Sequence, residues 1–142
     1  MTEQTCLLDV DVLLALFDPR HVHHDAAHRW FDGVAVFATT PMTESAFIRL
    51  VSNPAVVGET PATALAALRA VRELDEHTFV PDGSSLSDPS IGLGALVGQR
   101  QVTDFHLVNL AATHGLTFAT FDAKLARSLA EDDRRHVLVV PV

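Results

Sequence analysis

The stretch TCLLDVDVLLALF, residues 5–17, combines two different hydrophobic patterns. Residues 5–10 form a short apolar run in which Asp9 is the one carboxylate, and such a run is typical of a buried strand. Residues 11–17 place apolar side chains at helical spacing behind an acidic first turn, which predicts a helix. A strand that leads directly into a helix is the unit from which parallel sheets are built, so this stretch favours an α/β fold.

The same alternation continues along the chain. Further strands are predicted at 34–39, 77–81, 116–121 and 137–140, and further helices at 21–31, from Pro41 to about Ser52, and at 60–76, 103–114 and 123–131. Thr103 is predicted to cap the helix over 103–114, Gly115 to end it, and residues 82–98 to form a loop. We therefore expect residues 1–142 to form a single α/β domain with a mostly parallel sheet covered on both faces.

Composition sets limits on the class of protein. Ten Lys or Arg against eighteen Asp or Glu give a net charge of −8, which argues against a phosphate binder that relies on a basic surface but does not exclude nucleic acid as a substrate. The single cysteine, Cys6, cannot form an internal disulfide. The first residues lack the pattern of a secretory signal, and no apolar run reaches the roughly 20 residues of a membrane span. We expect a cytoplasmic protein without a membrane segment.

Carboxylates cluster where the predicted strands end. Asp9 and Asp122 close two strands, while Glu44 and Asp104 lie in the first turns of helices. Hydroxyls stand beside the same edge of the sheet, at Thr39, Thr40 and Thr120. In open parallel sheets, ligands bind beyond the carboxyl ends of the strands, so these side chains are the candidate functional residues.

Two interpretations of these acids compete. First-turn carboxylates are favoured by helix capping and the helix dipole alone, which would explain Asp104 or Glu44 individually. A satisfied strand-end hydroxyl would likewise explain Thr40. Taken as a set, however, four carboxylates at one edge repel each other unless a hard cation lies between them. Mg²⁺ or Mn²⁺ held by such oxygens is suited to phosphodiester hydrolysis.

The four acidic segments resemble a known family. The runs LLDVDVLLALF, TTPMTESAFIRLVSNP, QVTDFHLVNLAATHG and FATFDAKL follow in the order found in PIN domains of the VapC type, the toxins of bacterial toxin–antitoxin pairs. This resemblance implies a three-layer α/β/α sandwich and a metal-dependent endoribonuclease acting on structured RNA such as tRNA or rRNA loops. It also implies a homodimer and a cognate VapB-type antitoxin whose peptide covers the active-site groove.

The resemblance assigns the site residues by position. The four acids of the family match Asp9, Glu44, Asp104 and Asp122, and its strand-end hydroxyl matches Thr120. All four acids are expected to be catalytic and to ligate Mg²⁺, with Mn²⁺ as a substitute, and Asp9 and Asp104 are expected to be the principal ligands. One departure is visible, because the opening motif commonly reads D-x-N and here reads D-x-D.

Three alternatives remain open from the sequence. Asp9 and Asp11 resemble the first motif of haloacid-dehalogenase-type phosphatases, although the further acidic motif expected near the end is missing. The segment HVHHDAAH, residues 21–28, begins like a binuclear metal motif but has Ala26 where a histidine is needed, so a polar helix face is the preferred interpretation. A non-catalytic interaction module would leave the repelling acids without a purpose.

Overall fold

The computed structural model describes residues 4–142 and shows one parallel sheet. Its strands pair in the order β3-β2-β1-β4-β5, and every pair is parallel. The strands are β1 (Cys6–Leu8), β2 (Phe37–Thr39), β3 (His77–Phe79), β4 (Thr117–Thr120) and β5 (Val137–Val139). The predicted parallel sheet is confirmed, with each strand shorter than its apolar run.

Within the described residues, six α-helices connect or follow the strands. They are α1 (Val10–Phe17), α2 (His24–Phe31), α3 (Pro41–Val51), α4 (Pro61–Arg72), α5 (Val102–His114) and α6 (Ala123–Ser128). The prediction that Thr103 caps α5 is wrong, because a short 3-10 turn over Gln99–Gln101 runs directly into the helix and places Thr103 inside its first turn. Gly115 ends α5 in the left-handed conformation, at φ 67°, as predicted.

The sheet lies between two helical layers, which confirms the three-layer sandwich. Cys6 and Leu8 of β1 point to one face, where α1, α3 and α4 pack, and Leu7 points to the other, where α5 and α6 pack. This alternation follows from the period of two along a strand. Because both faces of β1 are covered, all three of its residues are buried.

The strand order changes direction beside β1. The chain builds β1, β2 and β3 outward on one side, then crosses over so that β4 pairs with the other edge of β1. Leu8 lies opposite Ala119, and the Asp9 backbone N–H donates to the Ala119 carbonyl at 2.9 Å. Such a switch point opens a crevice at the carboxyl ends of the strands, so the fold directs attention to the end of β1 and β4.

The predicted loop over 82–98 is tied to α5 by polar side chains. The buried Asn109 accepts a hydrogen bond from the Ser90 backbone N–H at 2.7 Å through Oδ1, and its Nδ2 donates to the Ser85 carbonyl at 3.4 Å. His106, one turn earlier, is paired with Asp82 at the start of the loop. Within residues 4–142, no helix is both long and apolar enough to cross a bilayer.

Candidate active site

Asp9 lies at the switch point and is fixed by the neighbouring strand. It is the residue between β1 and α1, and its Oδ2 accepts a 2.7 Å hydrogen bond from the hydroxyl of Thr120 at the end of β4. Burial raises the pKa of Asp9 to about 6; the Thr120 bond lowers it in part, while the charges of Asp104 and Asp11 raise it. A carboxylate in this position gains from any cation that approaches.

Asp104 and Asp122 complete an acidic group with Asp9. Burial, and then the charge of Asp122, raise the pKa of Asp104, which shows that these carboxylates are electrostatic neighbours. Asp122 is the cap of α6, since its Oδ1 accepts from the backbone N–H groups of Lys124 and Leu125 at 3.0 and 3.2 Å. The Thr120 hydroxyl also accepts from the Asp122 backbone N–H at 3.1 Å, so one hydroxyl links two of the acids.

A cavity of about 290 Å³ opens beside Asp104 and Asp122. Arg100 and Lys124 contribute to its lining. A pocket with two carboxylates and two cationic side chains is suited to a polar, charged ligand such as a nucleotide.

Glu44 is held in an ion pair that the sequence did not indicate. The Arg72 guanidinium at the end of α4 contacts both carboxylate oxygens of Glu44, at 2.8 and 3.1 Å, and the Thr39 hydroxyl donates to Glu44 Oε2 at 2.6 Å. Arg72 also stacks over the Phe79 ring at 4.4 Å. Glu44 therefore carries its own counter-ion, unlike Asp9 and Asp104.

The hydrogen bonds of Thr39 determine which ring nitrogen of His77 carries a proton. The Thr39 hydroxyl spends its one proton on Glu44, so His77 Nε2, 2.7 Å from the same oxygen, must be the donor in that contact. Burial and the charge of Arg72 lower the pKa of His77, which favours this neutral form. Arg72 and His77 are far from Glu44 in sequence, and no motif marks them.

Thr40, after β2, and Asp11, in the first turn of α1, both have structural partners. Thr40 is buried and donates to the Val80 carbonyl at 2.7 Å, so its hydroxyl is satisfied within the fold. Asp11 is half-exposed and lies 2.9 Å from His21 Nε2. The unusual second Asp of the D-x-D motif is thus paired with a histidine.

The histidine-rich segment makes helix contacts. His24 Nδ1 and His28 Nε2 lie 2.6 and 2.8 Å from the carbonyls of Ala15 and Leu16, in the last turn of α1. These carbonyls lack helical partners, so the imidazoles satisfy them. The preference for a polar helix face over a binuclear metal motif agrees with this arrangement.

The acids suit a hard divalent cation by their chemistry. They are oxygen donors, the pKa of both Asp9 and Asp104 is raised, and no Lys or Arg side chain forms a salt bridge with Asp9, Asp104 or Asp122 within residues 4–142. In the same part of the chain, no three His, Cys, Asp or Glu side chains are already close enough to hold one ion. The donor set fits Mg²⁺ or Mn²⁺, and closer approach of the carboxylates is needed for direct ligation by three of them.

Comparisons with known proteins agree on one family. Residues 6–128 match the PIN domain family. Ribonuclease VapC39 of Mycobacterium tuberculosis is 50% identical over 129 residues, which cover 87% of this chain and 93% of the relative. Ribonuclease VapC38 of the same species is 42% identical over 121 residues, covering 82% and 84%.

A solved structure agrees with the fold. The crystal structure of M. tuberculosis VapC20, described as a sarcin-ricin loop cleaving toxin, superposes with a TM-score of 0.62 at 17% identity and covers 89% of this chain and 97% of that one. The haloacid-dehalogenase and interaction-module alternatives gain no support from these findings. The chain therefore belongs to the PIN-domain family and, within it, to the VapC ribonucleases.

Proposed function

We propose that this protein is a Mg²⁺-dependent endoribonuclease and the toxin of a toxin–antitoxin pair. The observation that carries the proposal is the group formed by Asp9, Asp104 and Asp122 at the sheet switch point. Burial, and to a smaller extent the charges of neighbouring carboxylates, raise the pKa of Asp9 and of Asp104, and a bound cation would relieve both effects. The ribonuclease names of the relatives support the same activity.

The chain's own residues prepare the site for RNA. Thr120 orients Asp9 and ties the backbone of Asp122 to it, so the acids from β1 and β4 are held at a fixed spacing. Asp9 and Asp104 would be the principal metal ligands, with Asp122 and Glu44 completing the acidic site. A divalent ion held by these residues would supply an activated water and would neutralise charge that develops on the phosphate.

The partners of this site follow from the family. The substrate would be structured RNA, such as a tRNA or rRNA loop, and the inhibitor a cognate VapB-type antitoxin. The net charge of −8 suits an antitoxin segment that offers basic side chains. We expect the toxin and its antitoxin to be cytoplasmic and the toxin to act as a homodimer.

Cleavage of total RNA tests this function. Purified protein is incubated with RNA in Mg²⁺, in Mn²⁺ and in EDTA, beside Asp104→Asn and a matched control, Asp25→Asn, which alters an exposed acid on α2. We expect discrete fragments with either metal, none in EDTA, loss in Asp104→Asn and retention in Asp25→Asn. Equal cleavage by Asp104→Asn would contradict the proposal, and hydrolysis of a phosphomonoester without RNA cleavage would favour the phosphatase alternative.

A further inference from the structure

Three rings gather beside the acidic site without a role in the chemistry described above. The rings of His23 and Phe121 have centroids 4.8 Å apart, His21 lies 6.1 Å from Phe121, and the two histidines are 5.8 Å apart. We call His21, His23 and Phe121 the ring cluster. Each of its members is partly exposed.

The backbone places this cluster next to the acids. Phe121 is the residue between Thr120, which holds Asp9, and Asp122. On the opposite side, His21 Nε2 lies 2.9 Å from Asp11, two residues after Asp9. The cluster therefore adjoins both strand ends that form the acidic site, so a base lying on it would belong to a nucleotide near that site.

The hydrogen bonds hold one ring rigid and leave another available. The His23 backbone N–H donates to His21 Nδ1 at 3.0 Å, so His21 Nε2 carries the proton that Asp11 accepts. His21 is thus fixed at both nitrogens. His23 is partly exposed, and its ring nitrogens make no hydrogen bond to other side chains or to the backbone within residues 4–142.

The charge distribution around the site favours binding of RNA through uncharged aromatic rings. An acidic site on an acidic chain repels RNA, and Arg20, the nearby cationic side chain on this flank, is occupied by Asp18 and the Val57 carbonyl. Stacking on aromatic rings binds any unpaired base without adding charge. Ribonucleases that act on loops meet bases that are already unstacked.

We propose that the ring cluster is a stacking subsite for an unpaired RNA base adjacent to the scissile phosphate, with His23 and Phe121 as the contact surface and His21 as their support. The inference rests on the proposed function and adds to it a subsite that recognises substrate.

The test combines ring removal with base removal. The substrate is a short RNA that contains the mapped cleavage site, made intact and with an abasic nucleotide at each position flanking that site. The proteins are wild type, His23→Leu, Phe121→Leu and His23→Phe, which keeps a ring, with His114→Leu as an exposed-histidine control at the far end of α5. The readouts are KM and kcat in Mg²⁺, and circular dichroism as a check of folding.

We expect His23→Leu to lower kcat/KM on intact RNA by about tenfold, mainly through KM, because removal of a stacking ring commonly weakens base binding to this degree. One abasic substrate should reproduce that loss with wild type and show no further loss with His23→Leu. His23→Phe and His114→Leu should remain near wild type. Losses that multiply when the ring and the base are both removed, or wild-type kinetics in His23→Leu, would overturn the subsite.

Binding separates this inference from the proposed function. The same RNA, labelled with a fluorophore, is titrated with each protein in Ca²⁺ and followed by fluorescence anisotropy. A wild type that cuts no RNA would refute the nuclease, whereas an equal affinity of wild type and His23→Leu would refute the stacking subsite alone. A Phe121→Leu variant that loses its fold is replaced by Phe121→Tyr, which should retain binding.

Discussion

The hydroxyl of Thr120 donates a 2.7 Å hydrogen bond to Oδ2 of Asp9, joining the ends of two strands that are 111 residues apart in the chain. It also accepts the backbone N–H of Asp122. One side chain on β4 thus fixes the orientation of a carboxylate on β1 and the position of a second carboxylate at α6. From this linkage we propose a positioning role for Thr120, which the family resemblance also implies.

Thr120→Val should therefore reduce cleavage with little change in shape. Loss of a group that orients a metal ligand typically costs 10- to 100-fold in activity or metal affinity, and we expect a decrease of about that size in kcat/KM. The matched control is Thr117→Val, which changes the same side chain on the same strand three residues earlier. An unchanged kcat/KM in Thr120→Val would show that Asp9 needs no orientation from β4.

Asp9 should make the metal-free protein less stable as pH rises. Its pKa is about 6 in the folded state, against an ordinary value of 3.8, so between these pH values the folded state holds a proton that the unfolded state has released. The stability contributed by that proton is complete below about pH 4 and is lost as pH passes 6. The full difference amounts to about 3 kcal/mol.

Urea unfolding in EDTA measures this effect. Asp9→Asn removes the ionisation, so it should unfold at higher urea than wild type at pH 7 and lose that advantage toward pH 4. Addition of Mg²⁺ at pH 7 should stabilise wild type and leave Asp9→Asn nearly unchanged, because the ligand binds the folded carboxylate. A difference in urea midpoint between the two proteins that stays constant at every pH would contradict the raised pKa of Asp9.

Arg72 should compete with metal for Glu44. The guanidinium occupies both oxygens of Glu44, so Arg72→Gln frees a carboxylate for the acidic site. We expect the Mg²⁺ concentration at half-maximal cleavage to fall several-fold, since removal of a nearby positive charge strengthens cation binding. Arg69→Gln, an exposed change one turn earlier on α4, is the control. An unaltered or increased Mg²⁺ requirement would assign Glu44 to the structural ion pair instead.

Asn109 should contribute to stability through the loop that it anchors. Asn109→Leu keeps the side-chain volume but removes both hydrogen bonds, leaving the Ser90 N–H without its partner. Loss of a buried partner costs about 1–3 kcal/mol in the free energy of unfolding. Thr113→Val removes a hydroxyl that contacts Ser90 and donates to the Asn109 carbonyl, but Thr113 is exposed, so water can replace these contacts and the cost should be far less. Equal urea midpoints for the two variants would contradict this anchoring role.

The sequence predicted the fold well where the apolar residues of a segment follow one clear spacing, either that of a strand or that of a helix. The apolar run before Asp9 and the helical spacing after it correspond to β1 and α1, and Pro41 marks the start of α3. The predicted start of α5 was less accurate, because a 3-10 turn before Val102 takes the place of the helix cap expected at Thr103. Capping depends on the conformation of the preceding loop, which the sequence of 82–98 does not determine.

The site was predictable to the extent that strand ends determine it. The parallel sheet brings the carboxyl ends of β1 and β4 together, and Asp9, Asp104 and Asp122 lie at this edge. The ion pair between Glu44 and Arg72 was not predictable, since it depends on how α3 and α4 pack across 28 residues of sequence. The ring cluster likewise joins His23 to Phe121 through tertiary packing alone.

The most direct test of the central claim is the single-turnover rate of RNA cleavage by Asp9→Asn at saturating Mg²⁺, measured beside wild type with both proteins confirmed as folded. Because Asp9 is the half-buried carboxylate at the switch point, we predict a rate at least about 100-fold lower in the variant, with the fragments lost rather than shifted to other positions. A rate equal to that of wild type would contradict the assignment of this acidic group as the active site.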